Sequence, residues 1–434
     1  MNAHEVERRL QRAFLALLLA FFVNFLGYAF IVPILPSWQT QFDLNATQAT
    51  LLVSLWAVPL LLFGPLTGRI TDRFGAGRTV FVSLVLLTLS SGLYVVATNE
   101  WVGRPFLLLA FARMVHGASG ATIMTAGLAA ASQLWPTKFG EQAGKLLGMA
   151  AIGGLFGPVL GGVLFTWGEA SAFAVLALLT GLVCPLMWTS REVVGGPREH
   201  TSSVVSIRVF FTDRILFRVG VLLAITTLAT GALEAGVPLF LDDALGLSSA
   251  AIGGVLLVMV LMQGLGSVVW GRWVDRNGPT RYMLIGWSFV VVSLLGVGLV
   301  GYILSGQMAI LGMILLLGSF QFFIAAAQIP MLPMIDTATN RALGEGNPGL
   351  AFGVFGAAWA AGTIVGPLLV GPVFDVFGSW ALALGGLALP ALGALVLTLT
   401  NRELLHECYE EEITKRKSIH SVAEAHLQIG QEED

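Results

Sequence analysis

The chain has 434 residues, of which 56% are hydrophobic and 11% charged, with a formal net charge of -3. Its mean hydropathy is +0.82, and a soluble domain carries about a quarter charged residues. A soluble enzyme, a nucleic-acid binder and a disordered scaffold are thereby excluded, leaving an integral membrane protein.

Apolar runs of span length recur along the chain, each long enough to cross a hydrocarbon core as a helix. In order they cover 14–36, 47–68, 79–98, 105–130, 143–166, 170–188, 212–240, 250–270, 282–304, 308–335, 348–372 and 377–400. The expected fold class is therefore an all-α integral membrane protein with twelve transmembrane helices. The first run is too long for a signal peptide and lacks a small-residue cleavage pattern. A β-barrel is excluded because barrel strands alternate polar and apolar residues, and these runs are apolar all round. The expected organisation is an N-terminus at 1–13, a bundle at 14–188, a linker at 189–211, a second bundle at 212–400 and an acidic tail at 401–434.

Charge predicts the orientation. Twenty-one of the 23 lysines and arginines fall at the ends or in the loops that share a side with the termini. Arg104 falls on the other side and Arg113 inside the fourth span. By the positive-inside rule both termini are cytoplasmic, which also requires an even number of spans. The cell membrane is the expected location, with a vacuolar or vesicular membrane as the alternative. Cys184 and Cys408 then face a reducing compartment, and no disulfide is expected. Asn45-Ala46-Thr47 forms an N-glycosylation sequon on the first outer loop.

The second loop begins an internal repeat. Gly68, Arg69, Asp72, Arg73, Gly75 and Arg78 recur 203 residues later, where the aspartate is Asp275 and the arginine after it Arg276. Gly157-Pro158 in the fifth span recurs as Gly366-Pro367 in the eleventh, 209 residues on. Parallel repeats imply two six-helix bundles that rock about a central cavity, a transporter signature. In the repeated loops the glycines permit tight turns, and an aspartate beside arginines suits a latch that breaks on rocking. The plainer reading is membrane-edge anchoring by positive charge. Gly153, Gly157-Pro158 and Gly161-Gly162 leave one face of the fifth span almost bare, so a neighbour can approach closely, and Pro158 bends the helix.

Charges inside a span are costly and mark function by default. Arg113, followed by His116, in the fourth span and Glu234 in the seventh stand out, one basic and one acidic group in opposite halves that suit a shared aqueous cavity; the plainer readings are a carbonyl or carboxylate partner for Arg113 and pairing or snorkelling near the outer end for Glu234. Glu234 is the candidate for proton coupling or for contacting a polar substrate. Asn24, Gln263, Gln321 and Gln328 can bind a polar molecule or glue helices together, and Tyr28, Phe22, Phe25, Phe322 and Phe323 suit an aromatic cavity wall. No second histidine stands at ligand spacing from His116 and no Walker-type loop is present, so neither a metal, a cofactor nor ATP is expected. The chain is read as a carrier rather than an enzyme, its energy coming from an ion gradient or from the substrate's own.

The loop from Gly68 to Arg78 resembles the signature between helices two and three of the major facilitator superfamily. Arg113, His116, Gly117 and Gly120-Ala121 resemble its span-four motif, with His116 where glutamine is usual. The glycines and Pro158 of the fifth span resemble its antiporter motif. Together they imply the twelve-helix drug:proton antiporter branch over residues 14–400. Within it the chain is most similar to vesicular amine transporters and their fungal relatives. Val32-Pro33-Ile34-Leu35-Pro36, Leu233-Glu234 with Pro238, and Met331-Leu332-Pro333-Met334 carry that resemblance. The acidic positions of that family fall at Asn24, at Gln328 and near Gly356 here, leaving Glu234 as the retained buried acid. This departure implies a neutral, weakly polar or anionic substrate in place of an amine. The resemblance implies proton-coupled efflux of a drug, toxin or secondary metabolite by a monomer whose partners are substrate, protons and lipid. Uptake of a small metabolite, and a membrane receptor or structural protein without transport, are the alternative readings.

Overall fold

Lipid offers no hydrogen bonds, so an apolar run must satisfy its backbone within itself, and it does so by coiling into helices. The structure, a computed structural model, describes residues 3–99, 101–102, 105–135, 138–195, 212–343 and 348–411. Arg104, most of the expected linker and residues 412–434 lie outside the described residues.

The first half contains α1 (Ala3–Phe30), a 3-10 turn at Val32–Ile34, α2 (Leu35–Phe42), α3 (Ala46–Ser54), α4 (Ala57–Phe74), α5 (Ala76–Ala97), α6 (Phe106–Leu134), α7 (Phe139–Phe165) and α8 (Glu169–Val194). The second contains α9 (Arg214–Leu245), α10 (Ser249–Asn277), α11 (Thr280–Ile303), α12 (Gly306–Gln328), α13 (Met331–Leu343), α14 (Pro348–Phe377), α15 (Trp380–Gly385) and α16 (Ala388–Thr400). Eleven of the described helical runs are long and apolar enough to cross a membrane, and α3 with α4, bent by 42°, makes the twelfth. Four spans are broken: α1 from α2, α3 from α4, α12 from α13 and α15 from α16.

The two halves pack by the same plan. In the first, α1 lies on α7, α5 on α8 and α6, and α4 on α6. In the second, α9 lies on α14, α11 on α16 and α12, and α10 on α12. The halves meet along α14 against α3 and α4, and along α10 against α7. These two seams exchange under the repeat, since the second and eleventh spans meet as the fifth and eighth do.

Bare helix faces make these contacts possible. A methyl group at Gly161 would overlap the Phe30 carbonyl of α1, and one at Gly366 would overlap the Leu228 carbonyl of α9. At Gly162 it would come within 2.6 Å of the Ser249 carbonyl, in the opposite half. Gly161→Val is expected to push α7 off α1 and cost about 1–3 kcal/mol. Thermal unfolding in detergent checks this, with Gly154→Ala as the control, because nothing lies within 4 Å of that position.

An even number of spans puts both described chain ends on one face, here called proximal. The turns at Gly75 and Gly278 lie there, and Thr280 Oγ1 donates to Arg402 O at 3.2 Å. The opposite, distal face carries the turn between α2 and α3, where Asp43 adopts a left-handed φ of 53°, and the α14–α15 turn. Residues 402–411, the start of the tail, form a further helix docked under the second half. Leu405, Cys408 and Tyr409 are buried, Cys408 Sγ approaches Met334 O at 3.6 Å, and Arg341 pairs with Glu411.

Candidate functional site

Proline sets the geometry around Tyr28 and Glu234. Pro33 has no N–H to give the Ala29 carbonyl, so α1 ends at Phe30 and tightens into the 3-10 turn. Tyr28 sits in the last helical turn before that change. Pro238 likewise withholds a donor from the carbonyl of Glu234, four residues earlier in α9. The two side chains meet at these weakened points. Tyr28 Oη donates to Glu234 Oε2 at 2.6 Å, the short length of a hydroxyl bonded to a carboxylate. This bond joins the two halves. Tyr28 is buried and Glu234 half-buried between the buried Leu233 and Ala235.

Behind Tyr28 stands Arg113 of α6, fully buried. Both of its terminal nitrogens donate to Tyr28 O at 3.2 Å, and Nε donates to Leu52 O at 3.0 Å. These carbonyls are left over at helix breaks. In a continuous helix Trp56 N would serve Leu52 O; at the α3–α4 break it donates to Val53 O instead, at 3.4 Å. The guanidinium also lies 5.1 Å from the centre of the Tyr28 ring. Arg113 thus faces no open cavity. It holds two broken spans in register and positions Tyr28 from behind.

One turn further along α6, His116 Nε2 lies 3.2 Å from Asn24 O, and the imidazole meets Trp56 edge-on at 6.4 Å. A methyl at Gly117 would overlap the Trp56 carbonyl, so the small residues of α6 admit the α3–α4 break itself. Asn24 is fully buried, with both side-chain polar atoms unpartnered. Asn24 and His116, like Arg113, are therefore sealed from solvent in this conformation. Gln321 is buried on α12, its Oε1 unpartnered, while Gln328 at the end of α12 and Gln263 on α10 are half-buried.

An aromatic cluster surrounds the Tyr28–Glu234 bond. Trp56 packs on Tyr28 at 4.4 Å, Phe25 edges against both, and Trp359 of α14 meets Trp56 at 6.0 Å from the opposite half. Trp56 and Trp359 were not distinguishable in the sequence from other apolar residues. The available signal was Pro59, which weakens the helix just after Trp56. Phe322 and Phe323 instead pack on Trp270, both at 5.5 Å, and Phe22 packs into the helix core.

At the proximal face the repeated motif takes the same backbone form twice. Gly75 (φ +87°) and Gly278 (φ +80°) end α4 and α10, their N–H groups donating to Thr71 O at 2.8 Å and Val274 O at 2.9 Å. Both values of φ lie in the region that favours glycine. Gly68, Arg69, Asp72 and Arg73 lie on the last turns of α4, Arg78 opens α5, and Asp275 and Arg276 end α10. Asp275 Oδ1 accepts from Tyr409 Oη of the tail helix at 2.9 Å. On the distal face Asn45 is the N-cap of α3, its Oδ1 accepting from Gln48 N at 2.8 Å. Gly153, Gly157 and Gly161 turn toward α1, while Gly162 and Pro158 meet α10.

Two helical bundles that share a packing plan and join through a tyrosine–acid bond inside their spans have the architecture of a membrane carrier, not of an enzyme. The chain belongs to the major facilitator superfamily, whose family profile matches residues 17–342. It is 26% identical over 380 residues to multidrug resistance protein 2 of Bacillus subtilis, covering 84% of this chain and 89% of that protein. It is also 26% identical over 380 residues to the human MFS-type transporter SLC18B1, covering 83% and 80%. The quinolone resistance protein NorA of Staphylococcus aureus is 25% identical over 383 residues, covering 82% and 88%. Among solved structures, a bacterial homologue of the human lysosomal transporter Spinster superposes with a TM-score of 0.65 at 14% identity, over 93% of this chain and 96% of that one. That likeness is one of fold.

Proposed function

We propose that this transporter exports a small organic molecule in exchange for protons, with Glu234 as the group that takes up and releases the proton. The observation that carries the reading is the 2.6 Å bond from Tyr28 to Glu234, because it crosses between the halves within the first and seventh spans. As a carboxylate, Glu234 accepts a charge-assisted bond and ties α9 to α1. Once protonated it is a neutral acceptor, the bond weakens, and the halves are released to re-set. Arg113 keeps Tyr28 in place through both states, since its own bonds go to backbone carbonyls.

The surroundings of Glu234 favour a lipophilic cargo with little positive charge. Phe25, Tyr28, Trp56 and Trp359 supply aromatic surface on the side of Tyr28. The relatives named for multidrug and quinolone resistance support export of drug-like molecules. In sealed vesicles, a pH gradient imposed across the membrane is expected to drive uphill movement of aromatic small molecules, and an uncoupler to abolish it. Movement that ignores the gradient, at rates set by the substrate gradient alone, would replace antiport by facilitated diffusion.

A further inference from the structure

A helix beginning at Ala46 must find acceptors for the N–H groups of its first turn. For α3 the accounting is complete, and it is split between the halves. Its own N-cap, Asn45, takes Gln48 N at 2.8 Å. The other two donors go to Asp375, in the last turn of α14 in the opposite half. Asp375 Oδ1 accepts from Ala46 N at 3.0 Å, and Oδ2 accepts from Thr47 N at 2.9 Å and Thr47 Oγ1 at 2.6 Å.

Asp375 is badly placed for its own helix, because a negative charge at a helix C-terminus opposes the macrodipole. It is well placed for the N-terminus of α3, where the same dipole attracts it. One turn before it, Gly371 removes the obstacle to the approach, since a methyl there would lie 2.7 Å from both Ala46 O and Thr47 Cα. Glycine and aspartate four residues apart share one face of α14, so close approach and capping occur at the same seam. Weaker cross-half contacts flank it, with Ser54 Oγ donating to Ile364 O at 2.9 Å and Ser37 Oγ 3.4 Å from Ser249 Oγ.

We infer that Asp375 is a distal latch, a carboxylate of the second half that closes the distal face by capping the second span. Any motion that opens that face strips two backbone donors of α3 and one hydroxyl of their acceptor at once. The latch rests on the exchange proposed above, in which the released halves re-set and open to each face in turn (alternating exposure). It differs from the Tyr28–Glu234 bond in position, and its charge is set to hold α3 and not to meet cargo.

The test uses Ser54→Cys as reporter in a chain freed of Cys184 and Cys408, because Ser54 is fully buried in the same seam. A membrane-impermeant thiol reagent is applied to each face in turn. Asp375→Asn and Asp375→Ala are expected to raise labelling from the distal face about tenfold, and Thr47→Val to raise it less. Spin labels at Thr40 and Ala244, both exposed at the distal ends of the two halves, are expected to move apart in the same variants. This second readout stands if the cysteine reporter fails to fold. Labelling and distances equal to the parent's in Asp375→Ala, with measurable distal labelling in both, overturn the latch and leave alternating exposure intact. No distal labelling and no change of distance in any variant overturn alternating exposure and the latch together.

Discussion

Glu234→Gln is expected to reduce transport driven by a pH gradient to background while leaving the protein folded and abundant. The amide keeps the size of the side chain and an oxygen that accepts from Tyr28, so the cross-half bond at 2.6 Å survives in weaker form. Titration is what disappears. A carrier that cannot take up a proton at this position can still exchange labelled for unlabelled substrate across the membrane, because exchange needs no net proton movement. The diagnostic result is therefore a split, with substrate exchange retained and gradient-driven accumulation lost. Accumulation at the parent rate in Glu234→Gln would remove Glu234 from the coupling. Loss of both activities with normal folding would make it a cargo contact.

The second large effect is expected at Arg113. Arg113→Ala leaves Leu52 O and Tyr28 O without donors in the interior, where an unpaired polar group costs about 1–3 kcal/mol. With two such groups the expected loss is about 3 kcal/mol or more, read as a fall of the unfolding midpoint in detergent. Arg113→Lys restores one point of contact but not the planar fork that serves two carbonyls at once, so its midpoint should lie between the other two. Transport should fall in both variants, because Tyr28 loses the support that aims it at Glu234. The pair of experiments separates the roles, since Glu234→Gln changes coupling at constant stability and Arg113→Ala changes both. A midpoint equal to the parent's in Arg113→Ala would show that the helix breaks find other donors.

The spans were legible in the sequence because lipid makes hydrophobic length almost sufficient to name a helix. The glycine faces were legible for a related reason, since a four-residue spacing says that a neighbour will come close, although it does not say which. The structure answers that Gly161 meets Phe30 and Gly366 meets Leu228. Arg113 shows where such reading stops. Its position inside a span marked it as special but left a shared aqueous cavity and a partnership with a carbonyl or carboxylate equally open; its bonds go to carbonyls freed where the first two spans break. Pro33 and Pro59 carried that signal, but a proline tells only that a carbonyl loses a partner, not who replaces it. Asp375 was harder still. It falls between the last two apolar runs, at 348–372 and 377–400, and its role depends on a seam between residues more than three hundred positions apart. The acidic tail carries no apolar run, yet its first residues bury Leu405, Cys408 and Tyr409. Ten residues with few apolar positions give little periodic signal until the surface they cover is known.

That tail bears on the symmetry of the molecule. Asp275 answers Asp72 at an offset of 203 residues, and its carboxylate accepts from Tyr409, on the helix that follows the second half. The halves are accordingly not interchangeable modules: in a circular permutant that runs second half first, residues 402–411 must stay fused to the half they serve, or its aspartate loses its tyrosine.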